Sequence, residues 1–131
     1  MNIVDSSGWL EFFAGGPNAD HFSLPLSDAS TLIVPSISIY EVFKVILRES
    51  EENAALQAVA AMQKGKVVDL DTSIAINASK ISLQHALPMA DSIILSTARS
   101  YNCILWTQDR DFINIQNVKF FPKGANQVNP G

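Results

Sequence analysis

Short runs of aliphatic and β-branched residues alternate along this chain with longer segments whose apolar positions recur at helical spacing. Residues 2–4, 31–34, 67–70, 103–107 and 118–121 form the short runs and predict five strands. Between them, Trp9, Leu10, Phe12 and Phe13 predict a helix that stops at Gly15-Gly16-Pro17, and residues 18–26 predict a second helical piece. Ile39, Val42, Phe43, Ile46 and Leu47 make an amphipathic stripe that ends in a solvated run, Glu49, Glu51 and Glu52. Residues 54–62 predict a further helix through Leu56, Val59, Ala60 and Met62, with Gly65 as its C-cap. Asp71 and Thr72 cap a helix through Ile74, Ala78, Ile81 and His85, and Pro88 opens another through Ala90, Ile94, Leu95 and Ala98. Strands this short and apolar, alternating with helices, predict an α/β fold. Its sheet is mostly parallel, has about five strands and is covered on both faces.

The length of 131 residues suits one compact domain, expected over residues 1–122, with 123–131 as a mobile tail. An apolar fraction of 47% and a charged fraction of 17% describe a globular interior. The single cysteine, Cys103, falls in an apolar run and excludes a disulfide framework. No apolar run approaches the roughly 20 residues of a membrane span, and the N-terminus lacks the order of a secretory signal, so a cytoplasmic location without membrane contact is expected.

Four acids stand where strands give way to loops or helices: Asp5, Glu41, Asp91 and Asp109. In an open α/β sheet, ligands bind at the carboxyl ends of the strands. Carboxylates gathered there from four segments repel one another and persist with hard cations between their oxygens, which points to Mg²⁺ with Mn²⁺ as a substitute. Each acid also has a structural alternative. Asp5 can cap the first helix, and Ser38 with Glu41 fits a capping box. Asp91 suits a helix first turn, and Asp109 suits an Asx turn. Jointly the four favour a metal site, in which Asp5 and Asp91 are principal ligands and Glu41 and Asp109 are second ligands or hold metal-bound water. Ser7 and Thr107 are positioned to hydrogen-bond these carboxylates, and Asp111 is an alternative to Asp109. The net charge of −4 does not exclude RNA. Removing the four acids from thirteen leaves nine, equal to the nine Lys and Arg, and Lys44, Arg48, Arg99 and Arg110 are candidate contacts to phosphate. Trp9, Phe12, Phe13, Tyr40 and Phe43 are expected to pack, and His21 and His85 have no zinc or triad spacing.

Four motifs carry a resemblance. They are Ile3-Val4-Asp5-Ser6-Ser7 with Trp9-Leu10; Val34 through Val42 around Glu41; Met89-Ala90-Asp91-Ser92-Ile93-Ile94; and Leu105 through Phe112 around Asp109. In this order and spacing they resemble a PIN-domain ribonuclease, specifically the toxin of a VapBC-type toxin–antitoxin pair. The resemblance implies an α/β/α sandwich, Mg²⁺- or Mn²⁺-dependent endoribonuclease activity, and a homodimer. It also implies a small antitoxin that inhibits the enzyme and binds operator DNA for the complex.

Other readings differ in class. A haloacid-dehalogenase-like enzyme needs a second Asp where Ser7 stands, and a receiver domain needs paired acids near strand one with a lysine near the last strand. A non-catalytic PIN-like binding module would lack a tight divalent site. A PIN nuclease of general RNA processing would share the chemistry without the antitoxin.

Overall fold

The computed structural model describes residues 1–124; most of the tail expected at 123–131 lies outside the described residues. Five strands form one parallel sheet: β1 (Asn2–Val4), β2 (Leu32–Pro35), β3 (Lys66–Val68), β4 (Ile104–Thr107) and β5 (Val118–Phe120). Their spatial order is β3-β2-β1-β4-β5, and every neighbouring pair is parallel. Among the described residues six helices flank the sheet: α1 (Ser6–Ala14), α2 (Ala19–Leu26), α3 (Ser36–Glu49), α4 (Glu52–Met62), α5 (Thr72–His85) and α6 (Met89–Ser100).

Alternation along the strands builds two cores, because successive side chains point to opposite faces. Ile3, Ile33 and Leu105 join Ile74, Ala78, Ile81, Ile94 and Phe112 on one face. Val4, Leu32, Val34 and Trp106 join Trp9, Phe22, Val42 and Met62 on the other. With both faces covered, each central strand reads as continuously apolar, which is why the runs were visible in the sequence.

The sheet grows from β1 outward to β2 and β3, then returns to the other side for β4 and β5. The strand order therefore reverses between β1 and β4, the place where doubly wound sheets open a crevice at their carboxyl ends. Residues Asn2, Ile3 and Val4 pair with Ile104, Leu105 and Trp106, and one more bond beyond the ladder, Asp5 N–H to the Trp106 carbonyl at 3.1 Å, brings Asp5 beside Thr107.

Some expectations change. Gly65 does not cap α4, which ends at Met62 with Gln63 in right-handed geometry. A Cβ at Gly65 would stand 3.0 Å from the Leu32 carbonyl oxygen and from Val34 Cγ2, so this glycine serves the close approach of β3 to β2. The third strand is Lys66–Val68 rather than 67–70, and Thr31 belongs to a 3₁₀ turn. Tyr40, expected to pack, is 58% exposed on α3. Among the described residues no helix is long and apolar enough to cross a membrane.

Candidate functional site

Asp5 leaves β1 in extended geometry and caps α1, accepting from the Gly8 N–H at 2.9 Å. Its carboxylate also accepts from Ser7 Oγ at 2.8 and 3.0 Å and from Thr107 Oγ at 2.6 Å. The side chain is only 2% exposed. Burial pushes the Asp5 carboxyl from 3.8 up to about 6; the bonds from Thr107, Gly8 and Ser7 pull against that rise, and the Asp109 charge adds to it. The carboxylate that caps α1 is thus the same one that Ser7 and Thr107 hold at the strand exit.

Thr107 connects two of the acids. Its hydroxyl donates to Asp5 and accepts from the Asp109 N–H at 2.8 Å. It thus holds the backbone of Asp109 rather than its carboxylate. Asp109 in turn accepts from the Asp111 N–H at 2.9 Å, which fixes the 3₁₀ turn Arg110–Phe112. Phe112 is fully buried beneath that turn and anchors it.

Asp91, in the first turn of α6, meets this turn from the neighbouring segment. Carboxylate oxygens of Asp91, Asp109 and Asp111 lie within 4.8 Å of one another. Burial, then the Asp109 charge, a hydrogen bond with Asp111, and the charges of Asp5 and Asp111 push the Asp91 carboxyl from 3.8 up to about 8. The structure brings both Asp109 and Asp111 to Asp91. Asp5 stands beside this trio, close enough for its charge to act on Asp91, with its own oxygens engaged by hydroxyls and the Gly8 amide.

Glu41 lies outside the trio. It does not close a capping box, because α3 begins at Ser36, after Pro35, without a side-chain cap. Its carboxylate accepts from Ser6 Oγ at 2.6 Å, across 35 residues. Ser6 sits next to Asp5, so the bond ties α3 to the start of α1 at the same edge of the sheet. Lys44 rests against Tyr40, its Nζ 3.4 Å from the hydroxyl, and Arg48 pairs with Glu49 at 3.3 Å on the exposed surface. Neither bonds Glu41.

An all-carboxylate donor set at this spacing fits a hard divalent cation, whose charge would offset the burial that chiefly raises the Asp5 and Asp91 carboxyls and the neighbouring charges that add to it. His21 stacks on Phe121 at 4.4 Å between ring centroids and takes no part. Motif reasoning missed Ser6, Asn18 and Gln108, because their partners are 35, 90 and 97 residues distant.

Residues 3–118 match the PIN domain family. No curated protein matches the chain in sequence. Solved structures with the same fold include a toxin–antitoxin complex from Klebsiella pneumoniae. It is 20% identical with a TM-score of 0.77, and the match covers 91% of this chain and 96% of that one. VapC20 of Mycobacterium tuberculosis, described as a toxin that cleaves the sarcin–ricin loop, is 17% identical with a TM-score of 0.71, over 86% of this chain and 92% of that one. DNA-bound VapBC from Salmonella typhimurium is 20% identical with a TM-score of 0.69, over 92% and 98%. With the family match spanning most of its length and its acids gathered at the switch point of the sheet, the chain belongs to the PIN domain family.

Proposed function

We propose that this protein is a metal-dependent endoribonuclease, the toxin of a type II toxin–antitoxin pair, that hydrolyses phosphodiester bonds of tRNA or rRNA. The observation that carries this reading is the convergence of Asp91, Asp109 and Asp111 beside the buried Asp5 at the carboxyl end of β1 and β4. Asp91, Asp109 and Asp111 would hold Mg²⁺, or Mn²⁺ in its place, with Asp5 and Glu41 contributing charge at its edge. When bound, the cation supplies an activated water and stabilises the leaving oxygen of the scissile phosphate. Asp91, whose carboxyl is raised to about 8 by burial and the neighbouring acids, would have to give up its proton to hold the cation. Thr107 and Ser7 hold Asp5 in one orientation throughout, and Ser6 does the same for Glu41.

A toxin role is supported by the fold shared with toxin–antitoxin complexes, two of them solved on DNA. The partners proposed on that basis are RNA, a cognate antitoxin that carries the operator DNA contact, and a second copy of this chain. Lys44 and Arg48, both exposed on α3 beyond Glu41, are the proposed contacts to RNA phosphate or to antitoxin carboxylates. A repulsive carboxylate group without catalytic use is costly to keep, which weighs against an inert binding module.

The test is incubation of purified, antitoxin-free protein with a mixed tRNA and rRNA pool in Mg²⁺, in EDTA, and beside Asp91→Asn. Cleavage that needs the metal and is lost in the variant is the predicted result. Cleavage that persists in EDTA, or no cleavage of any RNA by metal-loaded protein, would overturn the reading. Growth arrest on expression, relieved by the product of the adjoining reading frame, separates a toxin from an enzyme of general RNA processing.

A further inference from the structure

The turn bearing Asp109 and Asp111 is tied down from behind by a closed ring of hydrogen bonds among three residues, Glu11, Asn18 and Gln108, one of which donates through its backbone. Gln108 stands between Thr107 and Asp109, and successive side chains in extended backbone point to opposite sides. Its neighbours face the acids while its own amide is buried, 4% exposed, against the far end of α1. Asn18, at the start of α2 and 9% exposed, donates through Nδ2 to Gln108 Oε1 at 3.0 Å. The Asn18 backbone N–H donates to Glu11 Oε2 at 2.8 Å, and Gln108 Nε2 donates to Glu11 Oε1 at a longer 3.4 Å. Each of the three residues bonds the other two. Asn18 Nδ2 also reaches the Pro122 carbonyl at 3.0 Å, which draws the chain beyond β5 into the same knot.

Gly16 supplies an independent sign that the Glu11 carboxylate is built into this place. A Cβ there would stand 2.5 Å from Glu11 Cδ and from both carboxylate oxygens, so a side chain at position 16 would push the carboxylate out of its place in the ring. One turn before Glu11 on α1 is Ser7, which donates to Asp5 and accepts from the Gln108 N–H at 3.4 Å. The ring and the acids thus share both α1 and the strand exit.

We propose that Glu11, Asn18 and Gln108 are positioning residues that hold the Asp109–Asp111 turn at metal-ligand distance from Asp91; the inference rests on the metal-site reading above. Asp109 and Asp111 sit on a short 3₁₀ turn, and carboxylates that repel one another would otherwise swing that turn outward. A mutually satisfied network, buried at Asn18 and Gln108 and half-buried at Glu11, resists this in a way that a solvated loop does not. Supports of this kind set the affinity of a metal site without touching the metal.

The test is calorimetric titration of the full chain with Mn²⁺ alone, in wild type, in Gln108→Leu and in the exchanged pair E11Q/Q108E. The leucine removes both ring bonds of Gln108 without adding charge. The exchange keeps three bonds possible, with the carboxylate moved from position 11 to position 108. Gln108→Leu is expected to weaken Mn²⁺ binding about tenfold or more, while the exchanged pair stays within about threefold of wild type. Unchanged Mn²⁺ affinity in Gln108→Leu, even with a lower melting temperature, would make the ring a plain structural tie and overturn the inference. Failure of the wild type to bind Mn²⁺ would overturn the metal site itself and the inference with it, which distinguishes the two. Should Gln108→Leu not fold, Asn18→Ser, which keeps the backbone donor and loses both Nδ2 bonds, is decided by the same affinities.

Discussion

Replacing Asp5 with Asn should make the metal-free protein more stable while reducing its activity. In the native protein the Asp5 carboxyl lies at about 6, against 3.8 for the unperturbed group. A raised folded-state value means that the native protein favours the protonated acid. The penalty is therefore absent below about pH 4, grows as pH rises from 4 to 6, and is complete above 6. Two pH units at 1.36 kcal/mol each correspond to about 3 kcal/mol. Asp5 is 2% exposed, so solvent does not screen this figure away. An amide approximates the protonated acid in shape and charge and can still accept from the Gly8 N–H. Asp5→Asn should therefore gain up to about 3 kcal/mol in EDTA at pH 8, or roughly 10 °C in melting temperature for a chain of this size. The gain should vanish near pH 4. Saturating Mg²⁺ should narrow the difference, because a bound cation stabilises the native wild type by about 2.7 kcal/mol at a hundred times its dissociation constant. Thermal melts at pH 4, 6 and 8, each in EDTA and in Mg²⁺, check all of this. A variant less stable than wild type at pH 8 in EDTA, or a difference independent of pH, would refute the reasoning and leave helix capping as the main role of Asp5.

Other outcomes follow from the same geometry. Mn²⁺ affinity should climb as pH rises toward about 8 and then level, because Asp91 must lose its proton to bind; isothermal titrations from pH 6 to 9 measure the slope. Thr107→Val removes the donor to Asp5 and the acceptor for the Asp109 N–H, and should cost 10–100-fold in metal affinity or activity. Gly8→Ala should destabilise the fold by roughly 1–3 kcal/mol or more in urea melts, since its Cβ would stand 2.5 Å from Val4 Cγ1 and 2.8 Å from Phe22. Ser6→Ala frees Glu41 from its 2.6 Å bond and should lower turnover with little change in melting temperature.

Much of the fold was legible because the central strands are buried on both faces and read as unbroken apolar runs, set off by helices with clear stripes. Glycine and tyrosine misled local reasoning. Gly65 stands where a helix cap is common, yet its purpose lies in a strand one crossover earlier, and Tyr40 falls on an apolar period while facing water. At the candidate site, Asp5, Glu41, Asp91 and Asp109 were visible as acids at element ends, and Asp111 as an alternative to Asp109. Their grouping depends on the reversal of strand order between β1 and β4, which no local pattern records. The capping box at Ser38 and Glu41 fitted its motif, but α3 starts three residues earlier, with Pro35 in place of Ser38 at its N-cap, and Glu41 finds Ser6 instead. Glu11 and Asn18 carried no motif and Gln108 lay inside one without a role of its own, since a single polar residue gives no local sign of a partner 90 residues away.

The central claim is that Asp91, Asp109 and Asp111 form a divalent-metal site. Anomalous diffraction from crystals grown with Mn²⁺ tests it most directly. The account predicts a peak about 2.0–2.3 Å from carboxylate oxygens of these three residues, with Asp5 behind it and still bonded to Thr107. A peak elsewhere, or no peak at millimolar Mn²⁺ and pH 8 with all three carboxylates ordered, would contradict it.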